Sequence, residues 1–495
     1  MRSIRAYIVG GSTYGRLVLL VGLLIGFPLL VLPFNPAELV YAPAFVIPMV
    51  LSVAAGFIIC IVTYHQQEKV SEYQAPVQRS SLPVFFVWIY SLSWGALPFL
   101  LSGQLEPLQA LFESVSGWTT TGITLVDVEG LPHILLFYRS FTQYCGGTGF
   151  VLMMIMFVRG KQSMNLFSTE AHVEQMMPSL RQTARFIFSI YSIFLAVGTV
   201  LYFLAGMDLF DALCHTMSAV STAGFSSHAG GISAHDSVAI EAITVLLMLL
   251  GASNFALLLM FTEGKMRKVF KSTELRFMAG LLALFIPLTA MSLFIETDLS
   301  LGQSFRNAIF AVVSAFSTTG YSTMDFVTMP PFALGLLMLL MVIGGSSGST
   351  AGGIKLSRTY FILRITRENI RRRISPAIRT AIPTYNAVRG KVEIDYPLIA
   401  DTLGFITCYF TILVIGTLLV TLTAGCTLFE GMFEFTSVLG TSGVSSGLVN
   451  TQSNPATLIV LMSGMILGRL EIFVVFYGLA ASVKMVRRLF QKHSS

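Results

Sequence analysis

The sequence predicts an all-α integral membrane protein. Four pseudo-symmetric repeats, each a spanning helix, a pore half-helix and a returning helix (M1–pore–M2), surround one pore, and two extra N-terminal transmembrane helices precede them. Three observations carry that expectation. Of 495 residues 54% are hydrophobic and only 11% are charged, with a mean hydropathy of +0.75, which leaves too little charge to cover a soluble chain of this length. Apolar runs close to the ~20 residues that cross a bilayer recur along the whole chain. A short Ser/Thr/Gly pattern occurs four times in register, the mark of an internal repeat.

The apolar runs fall at roughly 15–33, 43–64, 83–102, 186–206, 238–262, 276–296, 332–345, 400–424 and 455–479, and a further run at about 133–158 contains Arg139 and a glycine cluster, for ten spans. The first lacks a small-residue cleavage site and is followed at once by another span, so it reads as a retained helix and not a signal peptide. The chain then divides into an N-terminal two-helix membrane domain (1–75) and four pore repeats: 76–165, 166–270, 271–375 with an intramembrane gate loop, and 376–495 with a cytoplasmic tail. Lys and Arg set the orientation. With the N-terminus inside, 28 of the 31 basic residues lie in cytoplasmic segments, leaving Arg306 outside and Arg139 and Arg469 within spans; that asymmetry puts both termini in the cytoplasm. The opposite face carries Glu106, Asp127, Glu129, Asp208, Asp211, Asp236, Glu296, Asp298, Asp325 and Glu430. Each acid alone reads equally as a solvated rim, but together they raise the local cation concentration.

The repeated pattern reads SVSGWTTTGIT (Ser114 to Thr124), TMSAVSTAGFS (Thr216 to Ser226), VVSAFSTTGYS (Val312 to Ser322) and EFTSVLGTSGVS (Glu434 to Ser445). Aligned on Gly122, Gly224, Gly320 and Gly443, it shares Ser116, Ser218, Ser314 and Ser437, then Thr120, Thr222, Thr318 and Thr441. The amphipathic stretch before each glycine, such as Leu108–Trp118 or Ser304–Phe316, is too short to cross the membrane. It is therefore expected as a re-entrant half-helix, with the irregular backbone after it lining a watery cavity. The half-helix C-terminus turns its negative dipole end toward the membrane centre and favours a cation. Glycine permits the dihedrals that turn successive carbonyls toward an axis, and four rings of carbonyl and threonyl oxygens can replace the hydration shell of an alkali ion. The candidate K+ ligands are Thr120, Thr121, Gly122, Thr222, Ala223, Gly224, Thr318, Thr319, Gly320, Thr441, Ser442 and Gly443. The alternative is that these small residues merely let helices pack closely. Glu113, His215 and Glu434 share the position nine residues before the glycine, where the third repeat has Ala311; they read as bonding the hairpin backbone, or else as tuning the filter potential.

These single-glycine filters, TTGIT, TAGFS, TTGYS and TSGVS, in a fourfold M1–pore–M2 setting resemble the Trk/Ktr/HKT superfamily of potassium transporters. Together with the two extra N-terminal spans, GGSSGSTAGGIKLSR (Gly344 to Arg358) and GRLEIF (Gly468 to Phe473) look like its bacterial TrkH/TrkG branch, and the similarity covers nearly the whole chain. The resemblance implies potassium uptake across the plasma membrane, the inner membrane of a bacterium. It also implies a homodimer with one pore per subunit and a cytoplasmic, nucleotide-binding regulatory ring of the TrkA type. The filters differ from the TVGYG of tetrameric potassium channels, with Ala223 or Ser442 before the glycine in two repeats.

Beneath the filters, the third return span breaks at Gly344, about 24 residues after Gly320, and Gly146, Gly251 and Gly468 fall at nearly equal offsets. A Gly/Ser/Thr stretch there cannot hold a rigid helix, so Gly345, Ser346, Ser347, Gly348, Ser349, Thr350, Ala351, Gly352 and Gly353 are the candidate gate, and the resemblance implies such an intramembrane loop. A packing kink is the competing reading. Arg469 lies in the same layer, where a charge costs about 3 kcal/mol on insertion scales. It repels cations in a closed state, or ties the loop through its carbonyls, or pairs with Glu471. Arg139, nearer the outer surface, is expected to snorkel and act as a structural tie. His65 and His172 read as solvent-facing.

Enzyme motifs are decoys. Gly344-Gly345-Ser346-Ser347-Gly348 satisfies G-x-S-x-G but follows a membrane span instead of a strand, and Lys355 is misplaced for a phosphate loop. Cys60, Cys145, Cys214, Cys408 and Cys426 form neither metal spacing nor a disulfide framework. The basic segment Lys355–Lys391 obeys topology, contacts anionic lipid and offers the longest loop for a regulatory partner; no nucleic acid and no organic cofactor is expected. The reading is therefore a gated, channel-like potassium conductance with K+ as permeant ion. The alternatives are a K+/H+ or K+/Na+ symporter on the same fold and a non-transporting membrane scaffold.

Overall fold

The structure, a computed structural model, describes residues 12–64, 76–148, 180–374, 384–387, 390–470 and 472–493. His65, His172 and Glu471, with the part of the 133–158 run beyond Thr148, lie outside the described residues.

The first two α-helices among the described residues, α1 (Thr13–Gly26) and α2 (Ala42–Thr63), form a closely packed hairpin. A Cβ at Gly15 would lie 2.7 Å from the Cys60 sulfur and 2.9 Å from the Gly56 carbonyl, the small-residue contact by which membrane helices approach. The first apolar run is not one α-helix. It tightens to a 3₁₀ helix over Phe27–Phe34, because Pro28 and Pro33 remove amide donors from the ladder.

The same order of elements then recurs. A long helix, α3 (Pro76–Trp94) with its short continuation α4 (Leu97–Leu101), precedes the short α5 (Pro107–Trp118) and the returning α6 (His133–Gly147). Next come α7 (Leu180–Leu204), α8 (Leu209–Val220) and α9 (Val238–Gly251), which continues as α10 (Phe255–Thr262) after a 103° bend. The small α11 (Met266–Lys271) leads to α12 (Thr273–Glu296), α13 (Leu301–Ser317) and α14 (Pro331–Ile343). After α15 (Leu356–Ile374) and an antiparallel pair, β1 (Thr384–Ala387) and β2 (Gly390–Glu393), the chain ends with α16 (Tyr396–Ala424), α17 (Leu428–Leu439), α18 (Pro455–Arg469) and α19 (Ile472–His493).

Each short helix starts on a capping side chain. Ser300 with Gln303 and Thr427 with Glu430 form capping boxes, Glu106 pairs with Gln109, and Asp208 accepts from the Phe210 amide, each satisfying amides a helix start leaves open. Several acids of the proposed cation-collecting rim are thus engaged as caps, Asp127 and Asp325 among them.

Ten spans were expected. Among the described residues six helices are long and apolar enough to cross a membrane, and two bent pairs bring that to eight. Of the two runs not counted, 332–345 is the short α14, and 133–158 is described only as far as Thr148. Not the third alone but α6, α9, α14 and α18 all stop at 13 to 15 residues, at Gly147, Gly251, Ile343 and Arg469. Three of these ends coincide with a close approach to the short helix of the same unit. A Cβ at Gly146, Gly251 or Gly468 would lie 2.1, 2.5 or 2.1 Å from the carbonyls of Trp118, Val220 and Leu439, the last residues of the short helices. The returning arm is pressed against the end of its own half-helix.

Candidate functional site

The short helices share one ending. The Thr120 amide donates to the Gly117 carbonyl and the Thr121 amide to Ser116, at 3.1 and 2.9 Å, and the pattern repeats for Thr222–Ala219 with Ala223–Ser218, Thr318–Ala315 with Thr319–Ser314, and Thr441–Val438 with Ser442–Ser437. This pair of bonds is a Schellman cap, which needs a left-handed residue just past the helix and usually takes glycine there. Here it is threonine each time, with φ of 55°, 51°, 56° and 52° at Thr120, Thr222, Thr318 and Thr441. Two residues on, Gly122, Gly224, Gly320 and Gly443 have φ of 92°, 83°, 87° and 74°, a region open to glycine at no steric cost.

The four hairpins close into a ring. A Cβ on Gly122 would lie 2.0 Å from the Ala223 carbonyl oxygen, on Gly224 2.2 Å from Thr319, on Gly320 2.2 Å from Ser442, and on Gly443 1.9 Å from Thr121. Each glycine thus lies against the preceding residue of the next hairpin, and the fourth contacts the first. The four glycines and the residue before each, eight of the twelve candidate ligands, therefore meet around one ring, and the four threonines stand next to them at the helix ends. The Thr120 and Thr441 hydroxyls are buried without a hydrogen-bond partner among the described residues, an arrangement that suits a desolvated cation as a third party.

Behind the ring each hairpin is tied down, mostly by the position nine residues before its glycine. Glu113 accepts from the Thr124 hydroxyl at 3.0 and 3.1 Å and from the Leu125 amide, His215 Nε2 lies 2.8 Å from the Ser226 hydroxyl, and Glu434 accepts from the Ser445 hydroxyl at 2.7 Å and the Ser446 amide at 2.6 Å. In the third unit, with Ala311, the Thr323 hydroxyl bonds Asn307 instead at 2.9 Å. Arg139 does not snorkel. It is 1% exposed, its Nε pairs with Glu113 at 2.6 Å, its Nη1 donates to the Ser226 carbonyl at 3.0 Å, and it stacks 4.1 Å over the Phe225 ring. A buried carboxylate 26 residues earlier in sequence holds it inside.

Below the ring lies the segment after α14. It leaves helical geometry at Gly344 and returns beside it, with the Ile354 and Lys355 amides bonded to the Val342 and Ile343 carbonyls. Its rim pairs with the break in α9: Ser346 donates to Ala252, Thr350 to Gly251, and Phe255 to Gly348. Thr350 Oγ1 reaches the Gly251 carbonyl at 2.9 Å and the Thr222 hydroxyl at 3.1 Å, and the Gly352 amide donates to the Thr318 hydroxyl at 2.7 Å. Two of the four ring threonines thus bond directly to the loop. Arg469 donates to the Thr350 carbonyl at 2.8 Å and to the Gly146 carbonyl at 2.5 Å, while Lys355 bonds Ala351 within the loop. Ser347 bonds Ser357 at 2.5 Å and Ser349 bonds the Ser346 carbonyl. The loop and Arg469 therefore occupy one layer directly under the hairpins.

A family profile described as "TrkH: Cation transport protein" matches residues 50–486. The chain belongs to the TrkH cation transport family. A curated relative, the Trk system potassium uptake protein TrkH of Halomonas elongata, is 31% identical over 87% of this chain and 90% of its own length. The protein of the same description from Escherichia coli K12 is 30% identical over 79% and 83%. The crystal structure of the potassium transporter TrkH from Vibrio parahaemolyticus superposes with a TM-score of 0.80 at 27% identity, covering 96% of this chain and 98% of that one. The chain is thus a multi-pass membrane protein of a transporter family, not an enzyme.

Sequence reasoning missed parts of this TrkH-family site. The left-handed threonines carry no local signal, since a β-branched residue is disfavoured there. Thr121 and Thr319 are expected from sequence as K+ ligands, but their hydroxyl bonds to Thr119 and Ser317, at 2.9 and 2.7 Å, carry no sequence signal. The bidentate pair of Arg306 with Glu241, at 2.7 Å twice, joins α13 to α9. From sequence Arg306 is placed only as the one basic residue outside the membrane.

Proposed function

We propose that this protein conducts potassium ions inward across a bacterial inner membrane, through a pore at the centre of the four hairpins. In this reading the four units 76–165, 166–270, 271–375 and 376–495 form its walls, and 1–75 is a separate N-terminal two-helix domain. The observation that supports the reading is the closed ring of capped hairpins, in which each glycine lies against a carbonyl of the next unit and a threonine caps each helix end. Such oxygens replace the water of a monovalent cation, and their number and field strength set which ion is preferred. The names of the family's curated potassium uptake members point to K+ as the cargo.

The segment Gly345–Gly353 with Arg469 is the gate in this reading. It lies across the inner side of the ring and is held by bonds to the second and third hairpins, to the break in α9 and to the guanidinium. A positive side chain in the path adds an electrostatic barrier. The loop continues directly into the basic helix α15, so a cytoplasmic partner pulling on α15 would move it; a TrkA-type nucleotide-binding ring and a homodimer complete the assembly we propose.

The test is Rb+ uptake into proteoliposomes with and without competing Na+, normalised to inserted protein. Wild type is expected to take up Rb+ in preference to Na+. Gly224→Ser or Gly320→Ser is expected to lower that preference, because the added Cβ would lie 2.2 Å from a neighbouring carbonyl. No Rb+ uptake by wild type, or an unaltered preference in both folded variants, overturns the reading.

A further inference from the structure

The hairpins differ in how the residue before the glycine is braced. In the first and third units it is a threonine whose hydroxyl bonds a hydroxyl two residues earlier, Thr121 with Thr119 at 2.9 Å and Thr319 with Ser317 at 2.7 Å. The second unit keeps Ser221 but has Ala223, so that brace is missing, and Ser221 turns back to the Met217 and Ser218 carbonyls. A residue of the first unit fills the role. Gln143 on α6 donates from Nε2 to the Ala223 carbonyl at 2.9 Å and accepts at Oε1 from the Phe225 amide at 3.1 Å. A carbonyl can only accept and an amide N–H can only donate, so the two partners fix which way the Gln143 amide points.

Gln143 precedes Gly146 by three residues. The same offset from Gly251, Gly344 and Gly468 gives Met248, Met341 and Met465, all fully buried. A polar side chain therefore stands where three units have methionine, beside the one hairpin with no hydroxyl before its glycine. One turn away on the same helix face, Arg139 holds the Ser226 carbonyl, three residues further along that hairpin, and Tyr321 of the third hairpin donates to the Phe225 carbonyl at 2.8 Å.

We infer that Gln143 is a positioning residue that aims the Ala223 carbonyl and so sets the ion preference of the second wall. The inference rests on reading the ring as an ion filter. One lone pair of the Ala223 oxygen is held by the amide, which fixes the direction of the other. The fourth unit, with Gly440 at the earlier position and no hydrogen-bond partner for the Ser442 hydroxyl among the described residues, has no such brace. Losing one brace should therefore alter preference without abolishing flux.

The test compares wild type, Gln143→Met, Gln143→Asn, Ala223→Thr and the double variant Gln143→Met with Ala223→Thr. Methionine is the side chain the other units use, and asparagine is too short to span both bonds. Rb+ uptake with competing Na+ is measured per inserted molecule. Gln143→Met is expected to lower the Rb+ preference about tenfold, the scale of one buried amide bond lost. The double variant is expected to recover it, because it recreates the Ser-x-Thr pair found at Ser317 and Thr319. Preference equal to wild type in folded Gln143→Met or Gln143→Asn, or a double variant no better than Gln143→Met, overturns this inference alone. A wild type that carries no Rb+ overturns the filter reading, and this one with it.

Discussion

Arg469→Ala tests the gate most directly. The guanidinium bridges two bodies: Nη2 holds the end of α6 through the Gly146 carbonyl at 2.5 Å, and Nη1 holds the loop through the Thr350 carbonyl at 2.8 Å. Only the second bond need break when the loop leaves the pore, so only it biases the open state against the closed one. A hydrogen bond to a charged group is worth about 1.5–3 kcal/mol. Removing it is therefore expected to raise the population of the displaced loop about tenfold to a hundredfold, at ~1.4 kcal/mol per decade. The assay is Rb+ flux per inserted molecule in liposomes with no regulatory partner present. The hairpins are untouched by the change, so Rb+ preference over Na+ should stay near wild type while flux rises. Well-folded Arg469→Ala with flux at or below wild type would refute the latch, and a rise in flux with lost preference would show that Arg469 supports the filter instead.

Two further outcomes follow from the outer side of the site. Glu113→Ala leaves the Arg139 guanidinium buried without its carboxylate partner, so detergent-solubilised protein should melt earlier, by about 3–5 kcal/mol of lost stability; an unchanged melting temperature would show that the pair contributes nothing to holding the first two hairpins. His235 lies in the outer loop between α8 and α9, its ring 5.2 Å from that of His228, and burial together with His228 pushes its pKa below the ordinary histidine value. The folded loop thus favours neutral imidazole, so the contribution is present above the unfolded pKa of about 6.5 and is lost as pH falls through the depressed folded value. Hydrogen exchange of residues 228–236 should accelerate between neutral and acid pH, and His235→Asn should flatten that dependence; equal pH dependence in the variant would remove His235 as its source.

What the sequence showed depended on whether a feature was local. The four hairpins were legible because Ser, Thr and Gly at fixed spacing encode a helix end and a turn within about ten residues. The breaks in α9 and α18 were half legible. Gly251 and Gly468 marked the right depth, but only the contact with Val220 and Leu439 shows why the helix stops there. Arg139 was legible as a structural tie but not as a buried one, because its partners, Glu113 and Ser226, lie 26 and 87 residues away. Gln143 was invisible as a filter residue, since the bond that matters joins it to Ala223, 80 residues later. Periodicity reports which face of a helix is apolar and says nothing about which distant backbone a single polar side chain meets.

The threonine at the left-handed position joins these strands. A glycine there would close the same cap without the penalty of roughly 1–2 kcal/mol that an L side chain incurs in that region. Yet all four units carry threonine, with φ between 51° and 56°. Strain kept in four equivalent places needs a compensating role, and the hydroxyls supply it. Two of them, Thr222 and Thr318, bond the loop beneath, while Thr120 and Thr441 have no hydrogen-bond partner among the described residues. The same row of oxygens is therefore placed to serve both the proposed ion path and the loop below it. In the proposed reading the loop engages two of the four hydroxyls, those of Thr222 and Thr318, and its withdrawal would free those two to face a cation beside Thr120 and Thr441, so that filter and gate would act on one set of atoms.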